Sequence, residues 1–99
     1  MPEWTFLTNY ALVLSHIAKN PNITALEISR QIGITERATR KIIADLLQEK
    51  YIDKEKEGRC NRYWINPELS LRHESHKEVI VGDFLELLGW DREAANTFG

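Results

Sequence analysis

The chain has few of the residues that build disulfide-bonded, zinc-binding or membrane proteins. Cys60 is the single cysteine among 99 residues, so the chain cannot close an internal disulfide or supply a cysteine cluster for zinc. No apolar run approaches the roughly 20 residues that a membrane helix requires, and the opening stretch MPEWTFLTNY lacks the features of a signal peptide. We therefore expect a cytoplasmic protein that does not enter a membrane.

Arrangements that carry out catalysis are also missing from the sequence. There is no nucleophile and base pair, no phosphate-cradling glycine loop and no pair of carboxylates at catalytic spacing. His73 and His76 lie three residues apart, a spacing that could supply two metal ligands, but histidines in loops or helix caps are far commoner. We expect no enzyme activity, no cofactor and no metal site.

Charge of one sign is not in excess, since the formal net charge is −2. The distribution is uneven, however: from Arg30 to Arg62 there are nine basic and six acidic residues, whereas the rest of the chain carries four and nine. A basic middle between acidic ends is expected when only one face of a protein meets a polyanion.

Apolar residues recur at helical spacing in three segments, and 99 residues with 42% apolar content suffice for one core. The first predicted helix spans about 5–19. The second spans about 25–32 and begins with a capping box, Thr24 and Glu27. The third spans about 36–49, and its inward stripe is Ala38, Thr39, Ile42, Ile43, Leu46 and Leu47.

Gly33 lies between the second and third helices, in a sequence whose helical spacing continues on both sides. A residue that follows a helix usually needs a left-handed backbone, which glycine adopts without a Cβ clash. Thr35 then caps the next helix. A connection this short turns the third helix by roughly 90 to 120°, so residues 24–50 are predicted to form a helix-turn-helix.

A charged hairpin is predicted next, over residues 51–66, with strands at 51–56 and 62–66 around a loop at 57–61. A last helix is predicted at about 76–88. The fold class is therefore mainly α with a small β-hairpin, in the element order of a winged helix-turn-helix. We expect a DNA-binding domain at 1–72 and a C-terminal helical extension at 73–99.

Two stretches resemble a known family. GITERATRKIIADLLQEKYI (33–52) and EGRCNRYWINPELSLRH (57–73) resemble small bacterial and archaeal winged helix-turn-helix transcriptional regulators of the MarR type, in a similarity that extends over roughly 9–88. Thr39 stands where these regulators often carry valine, and Cys60 where a basic residue is common. The resemblance implies DNA binding and dimerisation through the terminal helices.

The outward face of the third helix holds the candidate base-reading residues, because this helix lies in the major groove of DNA in a helix-turn-helix protein. Arg37 and Arg40 can present a fork to guanine O6 and N7, whereas Lys41 is a flexible point charge that suits a phosphate. Thr35 and the helix N-terminus would also contact a phosphate. Glu36 lies on the same outward face.

The second set of candidates lies on the hairpin and comprises Lys54, Lys56, Arg59, Asn61 and Arg62. These residues would contact the adjacent backbone or minor groove and set affinity and register. The alternative is a solvated hairpin whose lysines are neutralised by neighbouring glutamates. Cys60, in the same stretch, could sense redox state, although a lone surface thiol is the commoner case.

Apolar residues near both ends exceed what the core needs, and they are candidates for dimerisation: Trp4, Phe6, Leu7, Ile80, Phe84, Leu87, Leu88 and Trp90. Two-fold dimers read half-sites about one helical turn apart, which favours a homodimer. The alternative is that the last helix folds back on its own domain.

The leading hypothesis is a homodimeric, sequence-specific regulator of transcription that binds double-stranded DNA. The alternative is a winged helix that binds another protein without direct DNA contact, which the net acidity keeps open. No residue pattern indicates a small-molecule effector.

Overall fold

The computed structural model describes residues 5–72 and 74–92. The described residues form four α-helices and one antiparallel hairpin: α1 (Asn9–Lys19), α2 (Ala25–Ile32), α3 (Glu36–Gln48), β1 (Ile52–Glu57), β2 (Cys60–Ile65) and α4 (Val81–Leu87). A short 3₁₀ turn, Glu74–His76, precedes α4. The predicted fold class, a mainly α winged helix-turn-helix, is confirmed.

The connection between α2 and α3 consists of three residues that satisfy both helix ends. Gly33 has φ +80° in the left-handed region, and the amide groups of Gly33 and Ile34 both donate to Ser29 O, at 2.9 and 3.2 Å. The bond from Ile34 is the one made in a Schellman motif and the bond from Gly33 the one made in the simpler αL motif; in both, glycine closes the helix and lets the chain change direction. Thr35 then accepts a hydrogen bond from Ala38 N at 3.0 Å and opens α3.

The first helix begins later than the sequence predicts. Thr8 is its N-cap and accepts from Ala11 N at 3.2 Å, so the predicted start at residue 5 is wrong by four residues. Apolar residues before Thr8 continue the spacing of the helix, but the Thr8 side chain caps the backbone, so the helix begins only after this residue.

The hairpin has a tighter turn than predicted. Strands β1 and β2 pair from Ile52 with Ile65 to Glu57 with Cys60, so the loop is Gly58 and Arg59 rather than 57–61. Gly58 has φ +61°, and glycine at the first position of a two-residue loop suits a type II′ turn, whose twist matches that of the strands.

The C-terminal segment returns to the winged domain by backbone hydrogen bonds. Val81 N donates to Leu69 O at 2.7 Å, and Leu71 N donates to Val79 O at 2.9 Å. Ser70 and Ile80 form an isolated antiparallel bridge. The helix predicted from residue 76 therefore starts only at Val81, because Val79 and Ile80 pair with the segment 69–71 and His76 ends the 3₁₀ turn.

One hydrophobic core includes both the helix-turn-helix and α4. Val13, Ile17, Ile28 and Ile52 are fully buried, and the same cluster contains Val81, Leu85 and Trp90. The last helix thus folds back on its own domain through this face, and the boundary predicted between 72 and 73 does not separate two cores. No helix within 5–72 and 74–92 is long and apolar enough to cross a membrane.

We predict that Gly33→Ala lowers the free energy of unfolding by about 1–2 kcal/mol, because φ +80° places the new Cβ against the following carbonyl. Urea unfolding measures the change. Gln31→Ala, on the exposed face of α2, is the matched control and should change stability by less than about 0.5 kcal/mol. A Gly33→Ala variant as stable as the wild type would contradict the account of the turn.

Candidate nucleic-acid interface

Helix α3 presents one face to the core and the opposite face to solvent. Thr39, Ile42, Ile43 and Leu46 are buried, and the Thr39 hydroxyl donates to Thr35 O at 3.0 Å. The hydroxyl that distinguishes this residue from valine is therefore satisfied within the helix. Ala38 is exposed, so its predicted place in the inward stripe is wrong.

Three cations lie on the outward face of α3, but they differ in how they are held. Arg37 is exposed and has no hydrogen-bond or ion-pair partner among residues 5–72 and 74–92. The Arg40 guanidinium bonds to Glu36, its Nε lying 3.0 Å from Oε2. Lys41 Nζ donates to both carboxylate oxygens of Asp45, at 3.0 and 2.9 Å. The side chains of Arg40 and Lys41 remain 68% and 71% exposed, so both are accessible from solvent.

Asp45 connects Lys41 to α1, since the Tyr10 hydroxyl donates to its Oδ2 at 2.5 Å. The hydrogen bond from Tyr10, followed by that from Lys41, lowers the pKa of the Asp45 carboxyl. The same carboxylate raises the pKa of Lys41 and, through its hydrogen bond, that of Tyr10. The network holds Lys41 in its charged form and fixes α3 against the start of α1.

The strand register divides the hairpin candidates between two faces. Lys54 pairs with Tyr63 and Lys56 with Asn61, and directly opposed residues point to the same side of a sheet. Arg62 is opposite Glu55 and therefore lies on the other face, where its guanidinium is 4.8 Å from the centroid of the Trp64 ring. The five hairpin candidates do not form a single patch.

The face with the two lysines is the one that turns toward α3. Burial raises the pKa of Tyr63, while the Asn61 side chain and the positive charge of Arg40 partly lower it. The exposed candidates on the outward end of α3 and on this face of the hairpin are Arg37, Arg40, Lys41, Lys54, Lys56 and Asn61, and Arg59 is exposed at the hairpin tip.

The candidate dimerisation residues are exposed to very different degrees. Phe6 and Leu87 are 92% and 87% exposed, and the half-buried ones are Leu7, Ile80, Phe84 and Leu88. Trp90 is only 8% exposed and belongs to the core, so its prediction as spare apolar surface is wrong. Trp4 lies outside the described residues.

An open apolar groove of about 910 Å³ lies between the start of α1, the end of α3 and the segment before α4. Its lining includes Phe6, Leu7, Tyr10, Leu46, Val79 and Phe84. Arg72 at its rim pairs with Glu49 at 2.7 Å. Three of the candidate dimerisation residues therefore line one surface.

Several residues that support the site were not identified from the sequence. Asp45 lies four residues after Lys41, a spacing that predicts an ion pair on a helix. Tyr10 is 35 residues from Asp45, and no local pattern could have found it. Asn22 was also missed: its side chain donates to Asn61 O at 3.4 Å and ties the hairpin to the loop after α1.

Residues 12–53 match the family of winged helix-turn-helix DNA-binding domains. This stretch contains most of α1, the whole helix-turn-helix and the first residues of the hairpin. Over this stretch the chain is therefore similar to winged helix-turn-helix DNA-binding domains. The description of the matched family names DNA binding and no reaction. No curated protein matches the sequence significantly.

Two solved structures share the fold. A MarR protein from Peptoclostridium difficile matches with a TM-score of 0.56 and 20% identity, over 82% of this chain and 47% of that one. A predicted DNA-binding transcriptional regulator from E. coli matches with a TM-score of 0.56 and 23% identity, over 79% of this chain and 70% of that one. The chain thus spans about half the length of the P. difficile protein. The family resemblance seen in the sequence agrees with this likeness in fold.

We predict that Tyr10→Phe raises the pKa of Asp45 toward its ordinary value, because the largest cause of its lowering is the Tyr10 hydroxyl. A carboxyl whose pKa is lower in the folded than in the unfolded state stabilises the folded protein at pH values above the unfolded pKa. This stabilisation is lost as the pH falls through the folded pKa. Tyr10→Phe should therefore lose less stability than the wild type between about pH 5 and pH 2. Carboxyl NMR titration and urea unfolding at each pH measure both effects.

Tyr51→Phe is the matched control for this experiment. The Tyr51 hydroxyl donates to the backbone oxygen of Ser70 at 2.8 Å, so its loss should leave the Asp45 titration unchanged. An unchanged titration in Tyr10→Phe would show that the hydrogen bond is not formed in solution.

Proposed function

We propose that the chain is a sequence-specific regulator of transcription of the MarR type that binds double-stranded DNA as a homodimer. The observation that carries this proposal is the outward, cationic end of α3, which a three-residue turn directs away from the core. Helix-turn-helix proteins place this end of the helix in the major groove. The family match over 12–53 supports the DNA-binding part of the proposal.

In the proposed complex, Arg37 and Arg40 face base edges, where a good bidentate contact discriminates by about 1–3 kcal/mol. Lys41 and the capped N-terminus of α3 at Thr35 contact phosphates. The lysine face of the hairpin, with Lys54, Lys56 and Asn61, follows the adjacent backbone or minor groove together with Arg59. Arg62, on the other face, contributes by packing on Trp64 rather than by contacting DNA.

A dimer is proposed because a single winged helix presents few base contacts, and two-fold dimers double them. Phe6 and Leu87 are 92% and 87% exposed, and a second copy that covered them would remove this apolar surface from water. Phe6, Leu7 and Phe84 line one groove, so a second copy would cover neighbouring residues from both ends of the chain.

We predict that binding to a random-sequence duplex pool weakens as salt rises, with log K falling by about 0.9 per phosphate contact for each unit of log salt. Lys41→Ala should weaken binding to every sequence and reduce this slope by about 0.9, because it removes one phosphate contact. Arg37→Ala and Arg40→Ala should weaken binding most on the selected consensus. Fluorescence anisotropy over a salt series measures each affinity.

Lys77→Ala is the charge-matched control, since Lys77 pairs with Glu74 at 2.9 Å near the 3₁₀ turn and away from α3. It should leave affinity and slope unchanged. Binding that is insensitive to substitutions at Arg37, Arg40 and Lys41 would reject this surface. Absence of DNA binding together with a stable protein partner would instead favour the interaction-module alternative.

We predict that the wild-type chain sediments as a dimer and that Phe6→Asp and Leu87→Asp shift it toward the monomer, because each would bury a charge in an apolar contact. Sedimentation velocity over a concentration series measures the equilibrium. Gln31→Asp is the control for added charge at an exposed site. A monomeric wild type, or variants that dimerise as well as the wild type, would contradict the proposed interface.

A further inference from the structure

The contact between Glu36 and Arg40 uses one particular edge of the guanidinium group. A single carboxylate oxygen, Glu36 Oε2, accepts from Arg40 Nε at 3.0 Å and from Nη2 at 2.5 Å. Both side chains are open to solvent, at 39% and 68% exposed. The contact is therefore a side-on clamp at the surface, on the first turn and a half of α3.

A guanidinium has five N–H donors in a rigid plane. The clamp uses the edge formed by Nε and Nη2 and leaves the end edge, formed by Nη1 and Nη2, directed away from Glu36. Arg40 makes no further hydrogen bond to a residue within 5–72 or 74–92. The end edge is a two-donor fork, which matches the O6 and N7 acceptors of guanine in the major groove.

Stability does not account for the clamp, because exposed ion pairs contribute little to the free energy of unfolding. Its effect is on orientation: a long side chain that is already held loses less freedom when it binds. The carboxylate also repels phosphates, so it opposes a competing contact between Arg40 and the DNA backbone.

From this geometry we infer that Glu36 is a positioning residue that fixes Arg40 as a guanine reader. The inference rests on the proposed DNA-binding function and adds that each half-site contains one guanine selected by Arg40. Arg37 has no such partner among the described residues, so its side chain is not oriented in advance. Guanine selection at the Arg40 position should therefore depend on the glutamate four residues before it, Glu36, and selection at other positions should not.

The test begins with the selection of bound sites from a library of duplexes with random cores by the wild type, Glu36→Ala, Glu36→Gln and Glu55→Ala. Dissociation constants are then measured for the wild-type consensus, for the same duplex with the selected guanine replaced, and for one with 7-deazaguanine there, which lacks the N7 acceptor. Glu55 is exposed on β1, on the face of the hairpin opposite the two lysines, and does not bond to Arg40, so Glu55→Ala controls for removal of one negative charge from the domain.

We expect Glu36→Ala to bind unrelated duplexes more tightly than the wild type and to lose about two- to tenfold of its preference for guanine, the range set by immobilising one long side chain. Glu36→Gln keeps a neutral acceptor, so its preference for guanine should lie between those of the wild type and Glu36→Ala. Glu55→Ala should raise affinity for all duplexes and keep the guanine preference. In an Arg40→Ala background, Glu36→Ala should change the preference no further.

Each contrary result has a distinct meaning. Retention of the full guanine preference by Glu36→Ala would overturn the positioning role while leaving DNA binding intact. An equal loss of affinity for all duplexes in Glu36→Ala, together with a lower thermal stability, would assign Glu36 a purely structural role and also overturn the inference. A wild type that selects no sequence from the library would reject the proposed function itself, and this inference with it.

Discussion

At Gly33 the chain leaves α2 with φ +80°, a backbone conformation that a residue with a Cβ adopts only under strain. This turn lets α3 bury Thr39, Ile42, Ile43 and Leu46 in the same core as α1. Burial of that face fixes the rotation of α3 about its axis, and so determines which residues point outward. The accessibility of Arg37, Arg40 and Lys41 is thus a consequence of backbone geometry several residues earlier.

The acidic residues on α3 explain how a chain with a net negative charge can present cations to a polyanion. Glu36 and Asp45 each hold one cation four residues away, a spacing at which helical side chains meet. Such pairs are weak when exposed, so they orient the cations without removing them from reach. The overall charge of −2 therefore does not describe this face of α3, on which three cations stay accessible.

Local chemistry was predictable from the sequence wherever a few adjacent residues decide the structure. Helix α2 has the predicted bounds, since Thr24, Glu27 and Gly33 define both of its ends by short-range hydrogen bonds. The start of α4 was not predictable, because it depends on pairing of 79–81 with 69–71. Periodicity identified the outward face of α3. It could not identify Tyr10 as a partner of Asp45, because the two residues are 35 positions apart and only the tertiary fold brings them together.

The sharing of one core by α1, α3 and α4 has a consequence for how this domain can be divided. Val81, Leu85 and Trp90 seal apolar surface that the helix-turn-helix and hairpin alone would leave open to water. A fragment restricted to 12–53 would carry α3 without the side chains that cover this apolar surface. Helix α4 is therefore part of the folding unit and not a separable extension of it.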